Sequence, residues 1–394
     1  MDLKKIDQKI RESLDEMIQI RRHLHMYPEL SFEEVKTPEF IAGYLEKLGI
    51  EVRRNVGGRG VIGTIRGGKP GKTIAFRADF DALPIHEATG APYQSTVPGV
   101  MHACGHDGHT ASLLVFAKVM NEFKDELEGN IVLIHQHAEE VNPGGALGMI
   151  EDGCLDGVDL VFGAHLQSLM PAGYVYSRDG YLQAAENTIH ITVTGKGTHG
   201  AEPHNGHDPI LAAAHIMTAL QSVVSRNADP LKELVISIGQ FHSGSAGNVI
   251  PQTAEMEGTM RVFDEELRKL GAQRIRELAE FTAKALGCTA EAAVEFGYDA
   301  VKNHREGVRL IEQAVGSVFG EGVYREIDPV MPAEDFAYYL QHRPGAYFFV
   351  GAKVEDGRTA YPHHHEKFDF HEPALAMAAR TFAGIFIEAQ RQNS

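Results

Sequence analysis

The sequence predicts an α/β domain built on a largely parallel, helix-covered sheet, with a second, α+β domain inserted into it. Three observations carry this expectation. Short apolar runs alternate with helical stretches between residues 73 and 164, as they do where helices form the crossovers of a parallel sheet. From residue 187 the order changes to β-α-β-β-α-β, that of a small antiparallel sheet with two helices on one face. A chain of 394 residues also exceeds what one ordinary core accommodates.

Taken in order, residues 7–24 carry Ile10, Leu14, Met17, Ile18 and Leu24 at helical spacing, and residues 38–48 carry Phe40, Ile41, Tyr44, Leu45 and Leu48 before a stop at Gly49. Two helices are expected to open the chain. Strands follow at 73–77, 131–135 and 158–164, with helices at 110–123 and 146–150. Each of these strands runs into a polar cluster: RADFDALP, HQHAEE and GAHL. Ligands of open α/β sheets sit beyond the carboxyl ends of the strands, so the three clusters point to one site. Residues 184–298 read as the inserted domain, with strands at 188–194, 234–241, 253–262 and 289–296 and helices at 209–224 and 265–286. A helix at 305–318, the run 346–350 and a helix at 373–389 return to the first sheet, which makes the first domain, the one that carries the polar clusters, discontinuous, 1–183 and 299–394.

With 37 basic against 54 acidic residues, net charge −17 and no Lys/Arg block, the chain is a poor partner for nucleic acid or an anionic membrane. Small molecules are the expected ligands. The start, MDLKKIDQKIRESLDEM, is charged where a signal peptide needs an apolar stretch, and no window reaches the length of a membrane span. A cytoplasmic location is expected. Three unpatterned cysteines, Cys104, Cys154 and Cys288, fit a reducing compartment.

Cys104 and His106 stand two apart in MHACGHDGH, and on an extended segment both side chains face one way and reach one cation. Thiolate and imidazole suit zinc or a similar first-row ion; a small buried cysteine among loop histidines is the plainer alternative. HQHAEE carries Glu139 and Glu140, which as neighbours on an extended chain point apart and so take different tasks: one to ligate metal, the other to accept a proton from water, as metal-dependent hydrolysis requires. His165 in GAHL sits at a strand end, and YPHHHEKFDF adds His363, His364 and His365, of which one or two can face a common site. Asp79 and Asp81 of RADFDALP are placed to ligate directly or to hold a ligand histidine in its tautomer.

The segments RRHLHMYPELSFEE, RADFDALPI, PGVMHACGHDGHTA, HQHAEE, GAHL, GKGTHGAEPH, GNVIP, AEDF, PGAYFFVG and YPHHHEKFDF resemble, in order and over residues 21–371, the metal-dependent aminoacylase and carboxypeptidase family. Within it they are most similar to the N-acyl-amino-acid amidohydrolases, the branch of hippurate hydrolase and the auxin-conjugate hydrolases. The resemblance implies a dinuclear site of two divalent ions, zinc or manganese with cobalt and nickel as alternatives, held by Cys104, His106, Glu140, His165 and His364, with Glu139 as general base. Cys104 takes the place where other branches have a bridging aspartate, and His364 is the histidine four residues before Phe368. Departures are small: Phe80 in RADFDALP, Thr198 in GKGTH and Glu366 after the histidine run.

The resemblance further implies that the inserted domain is a lid and dimerisation domain. His199 and Asn248 in it would bind substrate at the active site of the partner subunit of a homodimer. The implied reaction is deacylation of an N-acyl amino acid to a carboxylate and a free amino acid. A dipeptidase or carboxypeptidase of the same family is the alternative, and a non-catalytic metal-binding or ligand-binding protein is the alternative from another class. An unligated carboxylate beside the metal argues for catalysis, because a pure binding site has no use for it.

Overall fold

The segments Leu160–Gln167 (LVFGAHLQ) and Gly345–Gly351 (GAYFFVG) are apolar almost throughout, which suits strands covered on both faces. They lie side by side and parallel within a mixed sheet. The structure is a computed structural model that describes residues 2–354 and 358–391. Among the described residues this sheet has eight strands, in the order Glu51–Val56, Gly60–Arg66, Glu128–Gln136, Lys69–Asp79, Leu160–Gln167, Gly345–Gly351, Val175–Ser177 and Tyr324–Glu326. The four central strands run parallel, and antiparallel neighbours flank them.

The parallel sheet expected from the sequence is therefore its centre. Glu51–Val56 (EVRRNV) is largely exposed, and its charges suit an edge that must not recruit another strand. Helices Leu14–Met26, His106–Glu122, Arg305–Phe319 and Ala374–Arg391 pack against one another, and the last three also onto the sheet. One apolar core runs from Ile6 to Ala389.

Three helices, rather than two, open the chain. The first expected helix breaks at Ser13 into Leu3–Glu12 and Leu14–Met26, where the Ser13 hydroxyl donates back to the Lys9 carbonyl, a bond that competes with helix propagation. Lys36–Lys47 is the third. Among the described residues no helix is long and apolar enough to cross a membrane.

Two compact units divide the chain: the first holds the residues through Leu182, Val301–Asp328 and Asp335 onward, the second Gln183–Ala300 with Pro329–Glu334. In the second, Leu234–Ser243, Thr253–Val262, Ala185–Thr194 and Thr289–Phe296 form, in that order, an antiparallel sheet. Ala185–Thr194 alternates buried and less buried positions, as a half-covered strand does. Pro209–Ser222 and Glu265–Ala285 cover the buried face, their first turns capped by Asp208 and Asp264. The β-α-β-β-α-β order read from the sequence is the order found. Pro329–Glu334 joins this unit because Ala184 N–H donates to the Val330 carbonyl.

Candidate metal centre

Strand ends and one helix start bring the candidate side chains of the first unit together, and two left-handed residues turn them inward. Cys104 and His106 do not share an extended segment, as their spacing suggested. His106 opens the helix His106–Glu122, and Gly105 before it has φ 93°, a conformation that glycine adopts without steric cost. The turn at Gly105 puts both side chains on the same site. Glu139 and Glu140 differ from expectation in a similar way. Ala138 sits at φ 51°, so the backbone is no longer extended and the two consecutive carboxylates approach the same atom. His106 Nε2 is 3.9 Å from Glu139 Oε2 and 3.8 Å from Glu140 Oε1.

Hydrogen-bond partners settle which ring nitrogens are available. His106 Nδ1 lies 3.1 Å from both the Asp81 carboxylate and the Asp81 carbonyl; both accept, so Nδ1 carries a proton and Nε2 is the nitrogen left to face a cation. His165 Nδ1–H donates to the Leu166 carbonyl at 2.9 Å, leaving Nε2 to face Cys104 Sγ at 3.4 Å. His109 accepts the Leu166 N–H at Nε2 (2.9 Å), so its Nδ1–H donates to Asp79 (2.6 Å). Both nitrogens of His109 are committed, and the ring ties the end of the His165 strand to Asp79. The histidine run divides likewise. His363 donates its Nε2–H to the Leu166 carbonyl, His364 Nε2 is 3.2 Å from Glu140 Oε2, and His365 stacks on Tyr361.

Ligand-type atoms cluster as Cys104, His106 and His165; as Cys104, Glu140 and His364; and as His106, Glu139 and Glu140, each set lying within 4.8 Å. Cys104, His106 and Glu140 each belong to two of these sets, so the three sets form one continuous cluster. Two buried atoms in the cluster, His106 Nε2 and Glu140 Oε1, make no hydrogen bond. At 3.8 Å they are too far apart to bond each other, yet such a separation suits two ligands of one cation with bonds near 2.0–2.2 Å. The donors present therefore fit a divalent metal.

His199 and Asn248 lie in the second unit, neighbours through the short strands Thr198–His199 and Val249–Ile250 and the bond from Gly200 N–H to the Asn248 carbonyl at 2.7 Å. His199 is exposed and lines an open cavity of about 850 Å³ together with His242 and Glu255. Neither residue joins a ligand cluster among the described residues. The sequence reading passed over His109, whose only signal was its place in the HDGH segment, and Glu34 of PELSFEE, which contacts the backbone beside Glu139.

The model of peptidase family M20/M25/M40 matches residues 75–388. The chain is a member of this family. Among its relatives, the amidohydrolase-type protein YhaA of Bacillus subtilis is 48% identical over 387 residues, covering 98% of this chain and 97% of YhaA. Thermostable carboxypeptidase 1 of Saccharolobus solfataricus is 42% identical over 392 residues, 98% of this chain and 99% of that protein. N-acetyl-L-cysteine deacetylase of Bacillus subtilis is 42% identical over 366 residues, 92% and 86%. The solved YXEP protein of Bacillus subtilis, described as a dinuclear metal-binding peptidase of the M20 family, superimposes with a TM-score of 0.82 at 35% identity, covering 96% of this chain and 98% of that one.

Electrostatics in this M20 centre favour positive charge. Burial opposes ionisation of Asp79, but His106, Arg77 and His109 hold its carboxyl well below the usual range. Burial also disfavours the charged form of His106; Asp79, Asp81 and Glu140 outweigh it and raise the ring to about 10. Loss of solvation, and then Glu140 and Glu139, push the Cys104 thiol well up, so its thiolate needs a cation beside it. Burial, with His109 and His363, keeps His165 neutral, the form that ligates metal.

Proposed function

We propose that this M20 enzyme hydrolyses the amide bond of N-acylated amino acids, releasing a carboxylate and a free amino acid. Cys104, His106, Glu140, His165 and His364 hold two divalent ions in this reading, and Glu139 is the general base. The observation that carries it is the meeting of Glu139 and Glu140 at His106 Nε2, where that nitrogen and Glu140 Oε1 are buried without hydrogen-bond partners. When bound, divalent ions polarise the amide carbonyl and lower the pKa of water. Glu139 accepts the proton of the attacking water and returns it to the departing nitrogen. Asp81, through His106 Nδ1, and the Leu166 carbonyl, through His165 Nδ1, keep the ligand nitrogens aimed inward.

The finer points of this reading follow the resemblance. The second unit acts as lid and dimerisation domain of a cytoplasmic homodimer, in which His199 and Asn248 hold substrate in the partner's site. The metals are zinc or manganese, with cobalt or nickel also accepted; a thiolate ligand favours zinc. Mixing Glu139→Ala and His199→Ala dimers tests the trans arrangement. Random exchange makes half the dimers hybrids with one intact site each, and activity should recover to roughly a quarter of wild type.

A carboxypeptidase that is 42% identical over 98% of the chain favours a second substrate. The bond is of the same kind, an amide whose amine side is an amino acid with a free carboxylate, and only the acyl group differs. A substrate panel tests the reading: N-acetyl and N-benzoyl amino acids, their methyl esters, N-blocked dipeptides and free dipeptides, each assayed for amine release by protein loaded with each metal in turn. N-acyl amino acids should be cleaved faster than their esters and than free dipeptides. A preference for free dipeptides would replace this reading with a dipeptidase.

A further inference from the structure

Glu34 belongs to the PELSFEE segment, which supplies none of the candidate ligands, yet its side chain is fully buried. Its Oε1 accepts the N–H of Ala138 at 2.9 Å. Ala138 is the left-handed residue, φ 51°, directly before Glu139. A side chain bearing a Cβ is strained in that region and stays there only when its surroundings hold it. The other backbone group of Ala138 is held too, because its carbonyl accepts the Gly145 N–H at 3.1 Å. Gly145 sits so close that a Cβ would lie 2.1 Å from the His137 carbonyl oxygen.

A second carboxylate holds the other side of the turn. Asp81 Oδ2 accepts the Glu140 N–H at 3.0 Å and the Ser31 hydroxyl at 2.7 Å. The turn thus hangs from two buried acids, one on each flank of Glu139. Arg59 fixes Glu34 in turn by donating to its backbone carbonyl at 2.5 Å.

We propose that Glu34 is a positioning residue for the general base: by accepting the Ala138 N–H it maintains the left-handed turn that aims Glu139 at the reacting water. This rests on the reading of Glu139 as base. Burial raises the Glu34 carboxyl to about 8, and its Oε1 accepts the Ala138 N–H in either protonation state. Glutamine reproduces that acceptor at the same reach. Aspartate is one carbon shorter and does not.

The test compares Glu34→Gln, Glu34→Asp and Glu34→Ala with Glu139→Gln, all metal-loaded and assayed on the N-acetyl amino acid that wild type cleaves fastest. Glu34→Ala and Glu34→Asp should lose roughly 10- to 100-fold in kcat, the scale of a misplacement near 1 Å, while KM and metal content stay within about threefold. Glu34→Gln should remain within about threefold of wild type in all three. If Glu34→Ala fails to fold by circular dichroism, the order of Gln over Asp decides. Wild-type kcat in Glu34→Asp, a Gln variant as slow as Asp, or a loss of activity that only follows loss of metal overturns the proposal. Should Glu139→Gln itself turn over at the wild-type rate, the base assignment falls, and the proposal with it. A slow Glu139→Gln beside a fast Glu34→Asp removes the proposal alone.

Discussion

His363 donates its Nε2–H to the carbonyl oxygen of Leu166 at 2.9 Å, and this bond distinguishes it from the next histidine in the run. His364, at φ 63°, turns the other way and meets Glu140. His364→Ala should therefore lower the metal content of purified protein by about one ion per chain. His363→Ala should keep both ions, at some cost in stability. Elemental analysis after desalting checks this, and equal metal loss in the two variants would contradict it.

Glu139 and Glu140 should separate by phenotype although they are neighbours. Glu139→Gln is expected to keep its metal and lose on the order of 100-fold or more in turnover, the usual worth of a positioned acid-base group. Glu140→Gln should lose metal, because its Oε1 is one of the two buried atoms of the ligand cluster that make no hydrogen bond. Parallel metal titration and kinetics on both variants separate the two outcomes.

Asp81 faces three donors at once: His106 Nδ1–H, the Glu140 N–H and the Ser31 hydroxyl. Asparagine has one oxygen, and its amide would point N–H groups at one of these donors. Asp81→Asn should thus weaken metal binding by roughly 10- to 100-fold, the range seen when a partner of a ligand histidine is lost. Competition against a chromophoric chelator measures it, and unchanged affinity would show that His106 needs no such support.

His135 is fully buried, and burial alone lowers its pKa from 6.5 to about 3. Between those values the unfolded chain binds a proton that the folded chain lacks, so stability falls as pH drops below about 6.5. At its steepest, one such group changes stability by about 1.4 kcal/mol per pH unit. In metal-free protein, urea unfolding between pH 6.5 and 4.5 should show a smaller slope for His135→Gln than for wild type. Parallel curves would mean that His135 already takes up its proton in the folded state.

Sequence periodicity made the centre of both sheets legible, because apolar runs such as 160–164 and alternating ones such as 188–194 mark covered and half-covered strands. It missed Gly60–Arg66, where Gly63 and Thr64 interrupt the apolar run, and Glu51–Val56 and Val175–Ser177, where an edge position or three residues leave too little apolar pattern to read. At the site, residue types were legible and their geometry was not. Spacing on an extended chain put Cys104 with His106 and set Glu139 against Glu140. Gly105 and Ala138 override both arguments by taking left-handed backbone, and nothing about an alanine signals that. His109 was invisible for another reason: its role depends on the Leu166 N–H, a backbone group that no motif spells out.

Gly345–Gly351 inserts between Leu160–Gln167 and Val175–Ser177, against strands made long before it. On the ribosome, an apolar strand edge at Leu160–Gln167 therefore waits for residues that emerge, at 5–20 residues per second, on the order of ten seconds later. During that interval the strands of the second unit's sheet, which pair with one another, are already available to fold. The nascent first unit carries an open sheet edge of the kind that recruits other chains, and a polypeptide cut short before residue 345 would keep that edge and aggregate instead of forming a smaller enzyme.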